Sequence, residues 1–200
     1  VYSTWAGYML DRADIKDYFI LDSIGNDKLT GIDHAAELFS KMPNQTSVLF
    51  RYRILFQSNI EHAELVKIDR CWFPLSLMVR NDTSGLWDKT NVGDATPKET
   101  TPKIQSTTFM SPNTHKVAAA VYPSLVTVKF DVPLLATGAQ KMHHSGVGII
   151  IDSKKGLVLC DRYTVPISLG DVELCVAGSI HIRASVVFLH PVHNFAVLQY

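Results

Sequence analysis

Ser145-Gly146-Val147-Gly148-Ile149-Ile150-Ile151-Asp152-Ser153-Lys154-Lys155-Gly156-Leu157-Val158-Leu159 is the stretch that decides the fold. An apolar run over 146–151 ends in a polar Asp/Ser/Lys/Gly turn, and a second apolar run, Leu157-Val158-Leu159-Cys160, follows. Two such runs around a short turn predict an antiparallel hairpin. The pattern recurs downstream in Asp171–Val176, the turn Ala177-Gly178-Ser179 and Ile180–Leu189. Upstream, Leu125-Val126-Thr127-Val128-Lys129-Phe130 predicts another strand, and Val117-Ala118-Ala119-Ala120-Val121 predicts one helical turn before Pro123. Short strands at this spacing, joined by tight turns, predict an antiparallel barrel or sandwich from Val117 onward.

The first 80 residues have a different character, with strands around one helix. Tyr18-Phe19-Ile20-Leu21-Asp22-Ser23-Ile24 predicts a strand, and Gly25-Asn26-Asp27 supplies turn chemistry after it. Asp33 is expected as N-cap of a helix over 34–42, which Pro43 ends. Lys41 falls in the last turn, where the helix dipole favours a cation. Ile32, Ala35, Ala36, Phe39 and Met42 follow helical spacing and are the expected core stripe. The run Ser47-Val48-Leu49-Phe50-Arg51-Tyr52-Arg53-Ile54 then returns as a strand.

Between these parts, residues 81–116 are rich in Thr, Pro, Lys and Asn, with few apolar anchors beyond Leu86, Trp87, Ile104, Phe109 and Met110. That composition predicts a polar linker, too poor in burial to offset its own ordering entropy. Thr96-Pro97, Thr101-Pro102 and Ser111-Pro112 have the spelling of proline-directed phosphorylation sites. The expected division is thus 1–80, 81–116 and 117–200.

Bulk composition excludes several function classes. Nineteen basic and nineteen acidic side chains cancel, and no Lys/Arg run gives a local basic footprint, so no nucleic-acid partner is expected. No apolar stretch approaches the roughly 20 residues that a membrane helix needs, so no membrane partner is expected either. Cys71, Cys160 and Cys175 are odd in number and widely spaced, without a CxxC pair, which argues for reduced thiols rather than a disulfide framework or zinc site. No cofactor is expected. Two glycosylation sequons occur by spelling, at Asn44 and Asn81, and matter only in a secreted protein. The chain opens on Val1-Tyr2-Ser3-Thr4 and closes within a strand-like run, so both ends are expected to be cuts from a longer protein.

The hairpin over 145–159 resembles the opening hairpin of the protease domain in the HtrA family of serine proteases, which join a trypsin-like protease to PDZ domains. His190-Pro191-Val192-His193-Asn194-Phe195-Ala196-Val197-Leu198-Gln199 resembles the later segment that carries the catalytic aspartate. At the front, Ala6-Gly7 and Ala13-Asp14-Ile15-Lys16-Asp17-Tyr18-Phe19-Ile20-Leu21 resemble the core of an HtrA-type PDZ domain. A PDZ domain followed by a second protease-like domain resembles the large fungal nuclear HtrA-like proteases, duplicated proteins linked with apoptosis whose first half is active and whose second half is degenerate. The resemblance implies a mainly β chain: a PDZ-like α+β module lacking its N-terminal strand and carboxylate loop, then the first barrel of a degenerate trypsin-like domain. It also implies a homo-oligomer through the parent protein and a nuclear location, with the cytoplasm as a second compartment.

By the same resemblance, Tyr163 stands where the family has its catalytic histidine and Asn194 where it has its aspartate. A phenol with an ordinary pKa of about 10 is a poor general base near neutrality. An amide in place of the aspartate cannot stabilise an imidazolium, and in trypsin-like enzymes that change costs about 10⁴ in turnover. The nucleophilic serine element is expected beyond Tyr200. His143, His144, His190 and His193 surround these positions but lack the Cys or carboxylate pattern of a metal site. No catalytic residue is therefore assigned, with His193 as the one stand-in base considered. In the PDZ-like module, His34 and Leu38 lie four apart on the helix face opposite the expected stripe and are the candidate peptide-binding residues, for protein or peptide ligands added as an extra strand. Two readings follow: a non-catalytic PDZ and pseudo-protease portion of an HtrA-like serine endopeptidase, or a peptide-binding PDZ adaptor unrelated to proteolysis.

Overall fold

The computed structural model describes residues 2–3, 7–15, 18–94, 115–134 and 142–200. The chain divides into two compact units, Val1–Thr101 and Pro102–Tyr200. The three Ser/Thr-Pro dipeptides of the expected linker lie outside the described residues.

In the first unit, β1 (Tyr2–Ser3) is followed by a short helix α1 (Tyr8–Asp11), then β2 (Phe19–Ile24), β3 (Asp27–Lys28), the helix α2 (Ile32–Lys41), β4 (Ser47–Ile54) and β5 (Glu61–Lys67). The sheet order is β1-β2-β4-β5, with β3 pairing back on β2. Along β2 the burial alternates at Phe19 and Leu21, then breaks. The register against β4 slips between Leu21 and Ser23, leaving Asp22 as the extra residue of a bulge. That slip returns Ile24 to the core side, where it joins Phe50, Tyr52, Val66 and Ile68.

Helix α2 begins earlier than its sequence predicts. Gly31, not Asp33, is the N-cap, and no side chain caps the first turn; Asp33 lies inside that turn. The core stripe is rotated accordingly. Ala35 is buried, Leu38, Phe39 and Met42 pack toward the core, and Ile32 is exposed. Positions 35, 38, 39 and 42 still form one helical face, so the spacing argument holds with Leu38 in place of Ile32. At the other end Arg70 is buried and donates from Nη1 to Met42 O at 3.1 Å and from Nη2 to Phe39 O at 2.5 Å. A guanidinium thus adds a donor to carbonyls at the end of the helix, of which that of Phe39 also accepts the Met42 N–H.

Part of the expected linker is ordered structure. β6 (Ser76–Arg80) and β7 (Trp87–Asn91) form an antiparallel hairpin, with Arg80 opposite Trp87 and Ser76 opposite Asn91. Its turn is built by Asn81, whose Oδ1 accepts the backbone N–H groups of Thr83 and Ser84. Local side-chain hydrogen bonds of this kind order a polar segment without a large core.

The second unit begins with α3 (Lys116–Val121), followed by β8 (Leu125–Asp131), β9 (His143–Asp152), β10 (Leu157–Cys160), β11 (Asp171–Val176), β12 (Ile180–Leu189) and β13 (Ala196–Gln199). These six strands close into an antiparallel barrel in the order β10-β13-β12-β11-β8-β9, which settles barrel against sandwich. Strict alternation along β8 sends Val126, Val128 and Phe130 inward and Leu125, Thr127 and Lys129 outward. The inward set meets Val158, Val172, Leu174, Ala196 and Leu198 in one core. The glycines of the opening hairpin have a packing reason. A Cβ at Gly148 would stand 2.7 Å from Val158 Cγ1, and one at Gly146 would strike the Thr164 hydroxyl.

Candidate functional site

β10 and β13 are neighbours in the barrel, and their register sets Cys160 opposite Ala196. The residues just after Cys160 and those just before Ala196 therefore emerge side by side. Topology alone brings the loop 161–166 against the loop 190–195, and with them Tyr163 and Asn194. The two positions that the family resemblance singled out share one site.

Side-chain to backbone hydrogen bonds hold the two loops at that site. Asn194 Oδ1 accepts the backbone N–H of Arg162 at 2.9 Å. Arg162 donates from Nη1 to His190 O at 2.9 Å and from Nη2 to Pro166 O at 3.1 Å, tying the two loops together. Asp161 builds the turn: its Oδ1 accepts Thr164 N at 2.9 Å and its Oδ2 accepts Thr164 Oγ1 at 2.8 Å. The Tyr163 side chain is left out of this network and the residue is 83% exposed. Its carbonyl accepts from His144 Nδ1 at 3.1 Å. Arg162 is the residue that sequence reasoning missed. Its position between Asp161 and Tyr163 was visible, but the carbonyls that it reaches come from loop geometry.

The neighbouring histidines are likewise held in place by packing. His190 Nδ1 accepts the backbone N–H groups of Val192 and His193, at 3.2 and 2.8 Å. Its ring lies 4.6 Å, centroid to centroid, from those of His193 and Phe195. His143 Nδ1 pairs with Asp131 Oδ1 at 2.9 Å across β8 and β9. Among the described residues no group of three or more His, Cys, Asp or Glu side chains is disposed to hold a metal ion. Cys160, adjacent to the site, is buried, and desolvation, with the Asp161 charge second, pushes its thiol up to about 12. It remains a neutral thiol at physiological pH.

In the first unit, His34 is half-buried and its Nδ1 lies 3.2 Å from Thr30 Oγ1. Leu38 is not on the opposite face as expected, because it packs against the core cluster. The same unit holds an apolar pocket of about 270 Å³, lined in part by Tyr8, Leu10, Ile68, Phe73, Pro74 and Leu75.

The chain is 33% identical over 184 residues, 91% of its length, to the pro-apoptotic serine protease NMA111 of Coccidioides immitis. The same identity and coverage hold for the protein of that name in Pyricularia oryzae, and 32% identity for that of Aspergillus fumigatus. The chain is thus similar to one segment of these pro-apoptotic serine proteases. It spans 18% of the length of these relatives, so what it shares with them is one segment. No protein-family profile matches it.

Proposed function

We propose that this segment is a non-catalytic PDZ-like and pseudo-protease part of an HtrA-like serine endopeptidase, with a structural or regulatory role. One observation carries the reading: the side chain at the aspartate position is spent on a backbone. Asn194 caps Arg162 N, and the residue that replaces histidine, Tyr163, turns its phenol to solvent. Neither side chain can play the part that the family's histidine and aspartate play, since a phenol is a poor base near neutrality and an amide does not stabilise an imidazolium. The closed apolar barrel keeps the scaffold while the site residues differ, as suits a domain retained for packing, oligomer contacts or control of an active partner domain.

The relatives' name as serine proteases supports this reading over an adaptor unrelated to proteolysis. Peptide binding by the first unit, a nuclear setting and homo-oligomer formation go with the proposal, on the strength of the family resemblance. The deciding experiment is the double variant Tyr163→His/Asn194→Asp assayed on casein. The expected result is hydrolysis no faster than the blank, because two restored side chains do not rebuild the rest of the machinery. Turnover of casein by that double variant would overturn the proposal.

A further inference from the structure

The outer wall of the barrel holds a nucleophile, a base and an orienting carboxylate in line. β11 and β12 pair with Cys175 opposite His181, and inward-facing Val172 and Leu174 leave Glu173 and Cys175 on the outer surface. His181 Nδ1 lies 2.8 Å from Glu173 Oε1, and His181 Nε2 lies 3.9 Å from Cys175 Sγ, at the outer limit of a sulfur hydrogen bond. A carboxylate only accepts, so in the neutral ring Nδ1 carries the proton and Nε2 presents its lone pair to the thiol. This is the activated-nucleophile arrangement, with a base beside the nucleophile and a third group fixing the base.

We propose that Cys175 is a covalent modification site for small soft carbon electrophiles, its thiol deprotonated by His181 with Glu173 as the positioning residue. In the step, the thiol proton moves to His181 Nε2 and the sulfur lone pair forms the S–C bond. The leaving group departs with the electron pair of the bond it breaks, and the imidazolium, paired with Glu173, returns its proton to solvent. No oxidant or metal takes part. The charged groups facing the trio are Lys129 on β8, opposite Glu173, and Arg183 and Asp171 on the flanking positions of β12 and β11. Thr127, opposite Cys175 on β8, is neutral and short. Cys175 and His181 are open enough for a small reagent, whereas Cys160 is sealed in the core. Cys71 Sγ faces the amides of Gln45 at 3.5 Å and Asn44 at 3.6 Å, which donate but do not take a proton.

Iodoacetamide at pH 7 on the intact folded chain tests this, with each cysteine followed by peptide mass spectrometry and N-acetylcysteine amide as the reference thiol. An unassisted thiol is only a few per cent thiolate at that pH, which leaves room for acceleration of about tenfold at Cys175. His181→Asn should remove that acceleration, with Cys71 unchanged, and Glu173→Gln should remove part of it. Cys160 serves as the folding control, since its alkylation reports an opened barrel. Should His181→Asn open the barrel, the wild-type rate and Glu173→Gln decide. A Cys175 rate at or below the reference, or one that neither folded variant changes, overturns the proposal.

Discussion

Asn194 Oδ1 accepts a hydrogen bond of 2.9 Å from the backbone N–H of Arg162, across the loops that follow β10 and precede β13. The amide therefore has work to do that does not depend on catalysis. Asn194→Ala should lower the stability of the barrel unit by about 0.5–1.5 kcal/mol, the net worth of one such bond. Asn194→Asp should cost less, because a carboxylate still accepts from the same N–H. Urea midpoints of the three proteins check this. Equal losses for Ala and Asp would mean that the amide N–H₂, not Oδ1, holds the loops.

How much of this was legible can be argued from particular residues. The strands of the barrel follow from period-two alternation, and a run such as Leu125–Asp131 leaves little choice. The helix α2 was legible as an element but not in phase. With no side-chain cap at its start, nothing local fixed which of Ile32 and Leu38 would face the core. The β6–β7 hairpin was hidden because β7, Trp87–Asn91, is short and mostly polar, and the turn's order comes from Asn81 and register rather than from burial. The pairing of Tyr163 with Asn194 came from family resemblance; the Cys175–His181–Glu173 line depended on strand register, which composition does not encode.

The phase of α2 has its own test. Leu38→Ala should destabilise the first unit by about 1–2 kcal/mol, below the range for a fully buried leucine because this one is only half-buried. His34→Ala should leave stability within about 0.5 kcal/mol, as for an ordinary surface change. If the face carrying His34 takes peptides, His34→Ala should weaken binding of C-terminal peptides to the intact chain without moving its urea midpoint. A destabilising His34→Ala and a neutral Leu38→Ala would reverse the assigned faces.

The bulge that places Ile24 in the core also sets a pH dependence. Asp22, its extra residue, takes a two-pronged contact from Arg53, with Nε to Oδ2 at 2.6 Å and Nη2 to Oδ1 at 2.8 Å. That hydrogen bond, more than the charge itself, holds the Asp22 carboxyl below its ordinary value of 3.8. A carboxyl depressed in the folded state favours folding fully above its unfolded value, and the contribution is lost as pH falls through the lower folded one. Stability of the first unit should therefore hold from neutrality to about pH 4.5 and decline below about pH 4, with Asp22 among the causes. Both partners are partly open to solvent, so the effect is modest and screened by salt. Asp22→Asn should lower stability at pH 7 and flatten the acid limb between about pH 4 and pH 2, as read from urea midpoints across that range. An acid limb of unchanged slope in Asp22→Asn would assign the pH dependence to other carboxylates and leave the bulge contact without a share in it.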